Sequence, residues 1–323
     1  MVSVIIVNWN GKHLLSECLD GLREQAFRKF STVLVDNGST DGSVDFVSHH
    51  YPEVEVIGLA ENSGFATGNN IAIKRAKTKY IALLNNDAVP HPLWLHQLVE
   101  ALQSHPQAGL AASKMVFYND PAIIDRAGDA YTKAGTGLLR GRGMSASSYN
   151  KQEWIFGACA GAALYRSTML EDIGLFDEDF FLVYEDVDLS FRAQLNGYKC
   201  IFVPEAVAYH KASSSIVYDS PVSVYYSHRN LEWVYAKNMP GRLILKTICA
   251  HVLYDIAAFF YFAVNGRLKE FARAKRDALR GMKRALDKRH RIQDNSKVDD
   301  TYVWSLFEKE RFVPRITRRL RMN

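Results

Sequence analysis

Cysteine is scarce and scattered in this 323-residue chain: Cys18, Cys159, Cys200 and Cys249 lie far apart, with no CxxC pair. That spacing excludes a zinc ribbon, argues against a disulfide framework and fits a reducing compartment. No long apolar stretch is free of charge, so no segment reads plainly as a membrane span. The nearest approach, 243–264, is interrupted by Lys246, His251 and Asp255 and reads as a buried or interfacial helix. The N-terminus has no basic leader, and its apolar run stops at Asn8, so it reads as a first strand rather than a signal peptide. GxGxxG after that strand, GxxxxGK[ST] and GxSxG are all missing. A Rossmann dinucleotide site, a P-loop and a nucleophile elbow are therefore unsupported. No repeat of solenoid length is visible.

What is present is ordinary globular composition, 48% hydrophobic and 23% charged. The length suits two domains, or one large α/β domain with an appendage. The net charge of +5 is unevenly spread. Residues 266–323 hold about 18 basic and 8 acidic side chains, about +10, which leaves about −5 for the rest. Such a division suggests a globule that meets an anionic surface at one end.

Short β-branched runs at 2–7, 32–35, 54–58 and 80–84 predict strands, and 14–25, 43–49 and 66–77 predict helices between them. This alternation implies a mainly parallel sheet with helices on both faces. Pro90 and Pro92 open a further helix over 93–104. The segment 135–148, with its glycines and serines, reads as mobile. A second block predicts a helix over 186–196, a strand over 200–204 and a short strand closed by His210. From Pro221 onward the pattern is helical.

In an open parallel sheet, ligands bind beyond the carboxyl ends of the strands. Each predicted strand ends in polar residues: Asn8 to Asn10, Asp36 to Ser39, Glu61 to Ser63, and Asn85, Asn86 and Asp87. Any one set suits a turn, but four sets gather on one edge. Asp87 offers a carboxylate to a hard divalent cation. Glu185 and Asp186 fall at a helix start, where the dipole favours carboxylates, and Asp188 and Arg192 are spaced as a supporting ion pair. His210 suits either a structural role or a metal.

Taken in order, these residues resemble the bacterial family 2 glycosyltransferases of GT-A fold, particularly the rhamnosyltransferase-like branch of polysaccharide assembly. The matching runs are Val2 to Gly11, Val35 to Ser43, Asn62 to Asn70, Leu83 to Asp87 and Tyr184 to Leu189, then His210 with Ser213 to Ser215, and Arg229-Asn230. The resemblance implies a GT-A catalytic domain over 1–220 and a basic, amphipathic helical extension over 221–323 that associates with membrane or oligomerises. It implies that Asn8 and Asp36 hold the nucleotide base, that Asn62, Gly64 and Asn69 lie along the nucleotide, and that Asn86 and Asp87 face the donor. Asp87, with His210 nearby, would bind Mg²⁺ or Mn²⁺ on the diphosphate; Asn85 stands where the first Asp of a full DxD would be. Asp186 would be the catalytic base, supported by Glu185, Asp188 and Arg192.

The implied reaction is inverting transfer from a nucleoside-diphosphate sugar, dTDP-rhamnose first and UDP-hexoses or galactofuranose behind it. The implied acceptor is a lipid-linked saccharide met by a peripheral protein at the cytoplasmic, anionic face of the plasma membrane. Two other readings use the same residues. A sugar nucleotidyltransferase needs a richer loop than Asn8-Trp9-Asn10-Gly11-Lys12 to hold a triphosphate. A non-catalytic nucleotide-sugar-binding subunit would not need Asp186. No nucleic-acid module accompanies the basic tail, so no nucleic-acid partner is expected.

Overall fold

The computed structural model describes residues 1–212 and 220–308; Ser213 to Ser215 lie outside the described residues. The first half alternates β1 (Val2–Asn8), α1 (Lys12–Arg23), β2 (Phe30–Asp36), α2 (Ser43–His50), β3 (Glu55–Gly58), α3 (Phe65–Arg75) and β4 (Tyr80–Leu84). Then come β5 (Ala88–Pro90), α4 (Trp94–Ser104), β6 (Ala108–Phe117), β7 (Asp120–Arg126), β8 (Asp129–Thr132) and β9 (Gly137–Leu139). Next are β10 (Glu153–Ile155), β11 (Ala162–Arg166), α5 (Ser167–Ile173), α6 (Glu185–Leu195) and β12 (Lys199–His210). Helices α7 (Pro221–Asn238), α8 (Gly241–Val264), α9 (Leu268–Asp294) and α10 (Asp300–Ser305) follow, and β13 (Phe307–Glu308) ends the described chain.

The main sheet runs β10-β12-β6-β11-β4-β1-β2-β3. Strands β3, β2, β1 and β4 are mutually parallel, as are β6 and β12, while β11 runs against both its neighbours. Successive side chains point to opposite faces. Val2, Val4 and Ile6 of β1 therefore join a core with α1 and α4, whereas Ile5 joins the opposite core with α3, α5 and α6. The sheet is mainly parallel and covered on both faces, as the strand–helix alternation implies.

Two local expectations change. The runs at 200–204 and 206–209 are one strand, β12, whose register against β6 shifts between Val203 and Val207. Pro204 lies in that irregularity, where a missing N–H is tolerated. The segment 135–148 is ordered: β9 pairs with β8, Arg140 donates to the Ala127 carbonyl, and Arg142 pairs with Asp125. Glycine and serine content hid this, because two arginines rather than apolar side chains fasten the segment.

Helix α6 is buried along its whole length. One side meets the sheet; the other meets a third core in which Tyr131, Phe156, Phe180 and Phe191 join Trp233, Val234, Met239, Ala285 and Phe307. Residues on both sides of position 220 thus share one interior. Gly281 of α9 lets Trp233 approach, since a Cβ there would fall 2.3 Å from the ring.

Candidate active site

The parallel register puts Asn8 beside Asp36 at the carboxyl edge. Asn8 Nδ2 donates to Asp36 Oδ1 at 3.0 Å, and Asn86 Nδ2 donates to Asn8 Oδ1 at 2.8 Å. The Ser39 amide serves the other Asp36 oxygen at 2.9 Å. All three side chains are buried, and a carboxylate out of water needs such donors.

Asn37, which the sequence offers only as one more turn residue, organises the next loop. Its Nδ2 donates to Asn62 Oδ1 at 3.0 Å and to the Gly64 carbonyl at 3.1 Å; its Oδ1 accepts from the Ser63 amide at 2.9 Å. Gly64 has φ +88°, and a Cβ there would lie 2.6 Å from the Phe181 ring and carbonyl. Asn69 lies one turn into α3. It is buried, and its amide donates to the Phe65 carbonyl within α3.

Strand β5 pairs with the end of β12, setting His210 opposite Ala88 and next to Asp87. His210 Nε2 is 3.1 Å from Asp87 Oδ1, and Nδ1 is 2.8 Å from Asp125 Oδ2. Arg142 pairs with the other Asp125 oxygen. Burial opposes a charged imidazole, but hydrogen bonds to Asp125 and Asp87 outweigh it and push His210 up to about 9. Asn85 Nδ2 lies 3.5 Å from His210 Nε2.

Asp186 stands in the first turn of α6. Its Oδ1 accepts from the Val187 amide at 2.8 Å, and its Oδ2 from the Ala160 amide at 3.3 Å. The Arg126 guanidinium is 3.7 Å from Asp186 and 3.6 Å from Asp129. Three carboxyl groups crowd around this one cation. Burial, then the Asp186 charge, pushes Asp129 up to about 7 and Glu185 well above the usual carboxyl range. Asp129 Oδ2, Glu185 Oε2 and Arg126 Nε are buried without hydrogen-bond partners. Asp188 and Arg192 point elsewhere: Arg192 Nε meets Asp188 Oδ2 at 2.9 Å, and its other nitrogens cap carbonyls at Ile173, Gly174 and Leu175. Asp125, Arg126 and Asp129 were missed as site residues. The one signal was charge inside the apolar run Ile123-Ile124-Asp125-Arg126-Ala127-Gly128-Asp129.

The chain reaches Asp186 through an unusual turn. Phe181, Val183 and Tyr184 have φ of 62°, 57° and 72°. Each such residue costs about 1–3 kcal/mol unless its surroundings over-determine it. They do here. Asn230 Nδ2 donates to the carbonyls of Phe180, Leu182 and Val183 at 3.0, 2.9 and 2.7 Å. Arg229 holds the Asp179 and Phe180 carbonyls at 3.1 and 2.9 Å.

The family model described as glycosyl transferase family 2 matches residues 3–174. Among curated proteins, the chain is 28% identical over 250 residues to the N-acetylglucosaminyl-diphospho-decaprenol L-rhamnosyltransferase of Mycobacterium tuberculosis, an alignment covering 67% of this chain and 78% of the relative. Among solved structures, the mannosyltransferase PcManGT of Pyrobaculum calidifontis, in complex with GDP-Man and Mn²⁺, superposes with TM-score 0.55 at 19% identity, covering 94% of this chain and 82% of that one. Staphylococcus aureus TarS, residues 1–349 with UDP-GlcNAc, gives 0.59 at 17% identity, covering 95% and 93%. These likenesses establish the GT-A fold.

Proposed function

Because the chain belongs to glycosyl transferase family 2 and so moves a sugar from a nucleotide-sugar donor to a saccharide acceptor, we propose that the sugar is rhamnose from dTDP-rhamnose, transferred with inversion to a lipid-linked saccharide. The observation that carries this reading is the gathering, along one sheet edge, of an amide–carboxylate cradle at Asn8, Asp36 and Asn86, a carboxylate–imidazole pair at Asp87 and His210, and a buried carboxylate at Asp186. The 28% identity to a rhamnosyltransferase acting on a decaprenol diphosphate supports the choice of sugar and acceptor.

Asn8 and Asp36 hold the base, and the Asn62–Gly64 loop lies along the nucleotide. Asp186 takes the proton of the acceptor hydroxyl as its oxygen bonds to the anomeric carbon from the face opposite the leaving diphosphate. One carboxylate suffices for this single displacement, because the departing diphosphate does not need the acid that a glycosidase's second carboxyl group supplies. Asp87 and His210 fit a divalent cation: a carboxylate oxygen and an imidazole nitrogen suit Mn²⁺, and Asp125 on the far ring nitrogen fixes the orientation such a ligand needs. When bound, the cation supplies charge stabilisation to the departing diphosphate.

The lipid-linked acceptor agrees with α8. Leu245, Val252, Leu253, Ile256, Phe259, Phe260 and Val264 are exposed along it. Beside it α9 exposes Arg273, Arg276, Arg280, Lys283 and Arg284, and an apolar face next to basic rows suits an anionic leaflet. The protein thus acts at the membrane surface with α8 in the interface; a second copy of the chain would compete for the same face.

Asp186→Asn tests the base assignment. Donor affinity is expected to persist while transfer falls by about 10³-fold, and near-normal turnover would remove Asp186 from the role. Donor hydrolysis across dTDP-rhamnose, UDP-hexoses and UDP-galactofuranose with the wild-type protein tests the sugar.

A further inference from the structure

Four carbonyl groups of the turn before Asp186 are claimed by partners outside it. Asn230 takes those of Phe180, Leu182 and Val183, and Phe181 O accepts from the Phe65 amide at 2.7 Å. Phe65 is the first residue of α3 and follows Gly64, whose carbonyl Asn37 holds from the other side. The Phe181 ring stacks on Tyr226 of α7 at 5.3 Å. Asn230 is fully buried, and its own oxygen is occupied by Arg229 Nε at 2.9 Å. Its amide therefore faces three carbonyls in one orientation only.

We propose that Asn230 is a positioning residue that couples the two halves of the site, holding the left-handed turn 181–184 so that Asp186 and the Gly64–Phe65 loop are set together. The proposal rests on the reading of Asp186 as base. Val183 identifies the element at risk. A β-branched residue avoids positive φ, so without the Asn230 amide this turn relaxes toward ordinary backbone angles. Relaxation moves the start of α6 and withdraws the Phe181 carbonyl from the Phe65 amide. Chemistry and donor binding then fail together, although the polar atoms of Asn230 are all turned to protein partners. Gly64 completes the coupling, because any side chain there would push the turn away from the donor loop.

The test compares Asn230→Ser, which keeps a single donor, with Val183→Gly/Asn230→Ser. Glycine accepts positive φ without penalty, so the double variant keeps the turn populated with less help from residue 230. With activities expressed per folded molecule, Asn230→Ser is expected to lower kcat by about 10–100-fold and to raise donor KM severalfold. The added glycine is expected to recover part of both losses. A merely structural role predicts a lower melting temperature with kcat and donor KM unchanged, and that result overturns the proposal. So does a double variant no better than the single one, or insolubility of both. Asp186→Asn measured alongside separates the two readings: if it retains turnover the base assignment fails, whereas if it is inactive while Asn230→Ser has normal constants, only the coupling fails.

Discussion

Helices α7 and α8 are consecutive in the chain and opposite in logic. Helix α7 buries polar side chains, among them Asn230, Lys237 and Asn238, whereas α8 exposes apolar ones from Leu245 to Val264. Within α7 Lys237 Nζ lies 2.5 Å from Asp177 and 2.7 Å from Asp188, and Asn238 donates to Asp188 at 2.7 Å. Helix α8 buries only a stripe through Leu243, Thr247, His251, Ala258 and Phe262. A helix's polarity thus reports what it touches rather than whether it is inside. α7 faces carbonyls and charges inside the protein, and α8 turns its apolar side outward.

The sharpest way to break this contrast is to remove the cation of α7. Lys237→Met leaves Asp177 and Asp188 buried with only Lys288 and Arg192 as remaining cations. Breaking a buried pair from one side typically costs about 3–5 kcal/mol, and urea unfolding should show a loss near the lower figure.

A smaller effect is expected where the two helices meet. Glu232 of α7 pairs with His251 of α8 at 3.2 Å and with Lys275 of α9. Burial opposes its charge, but those partners bring Glu232 down to about 2, and His251 is raised against burial by the same contact. The Glu232 contribution is present above the ordinary carboxylate pKa and is lost as pH falls through about 2. The His251 contribution is present below its ordinary pKa and is lost as pH rises through its raised value. Asp255, raised by burial and by the Glu232 charge, partly offsets the acid limb. Thermal melts should therefore show the cluster strongest in mildly acidic buffer. Glu232→Gln should lower that plateau by about 2 kcal/mol and flatten both limbs.

The smallest change in stability, and the one that sharpens the contrast, belongs to α8. Ile256→Glu/Phe260→Glu alters exposed positions and should leave unfolding within about 0.5 kcal/mol per site. Co-sedimentation with anionic vesicles should nevertheless fall severalfold, and the wild-type protein should release from them as salt rises. Retention of the double variant on vesicles would transfer the exposed face to a protein partner.

The polar carboxyl edge of the sheet was largely legible in sequence because consecutive residues build it. Strand β4 begins and ends where its apolar run does, Asn8 and Asp36 close β1 and β2, and Asn62 and Asp87 lie within four residues of the ends of β3 and β4. The surroundings of Asp186 were not legible. Arg126 and Asp129 come from β7 and β8, the Ala160 amide from a loop, and Asn230, noticed only as part of a matching run, from α7, and no local periodicity connects those segments. Asn69, in a matching run, has a contact the sequence did not show, its amide donating to the Phe65 carbonyl of its own helix. The two-part reading of β12 failed because a register shift interrupts the pattern without ending the strand.

The reversed strand β11 explains one more peculiarity. A parallel strand leaves the sheet at the reactive edge and delivers side chains from its last residues; a reversed strand arrives there, so its preceding loop is what lines the edge. That loop, Gly157-Ala158-Cys159-Ala160-Gly161, carries almost no side chain. A Cβ at Gly157 would lie 2.5 Å from Ser190 of α6, and one at Gly161 would lie 3.0 Å from the Asn85 amide. The loop is threaded between the two halves of the site as bare main chain, and an amide, that of Ala160, is what it contributes to Asp186. Chain direction has thus selected composition: a strand inverted between two parallel neighbours, β4 and β6, turns a position for polar side chains into one that only the smallest residues can occupy.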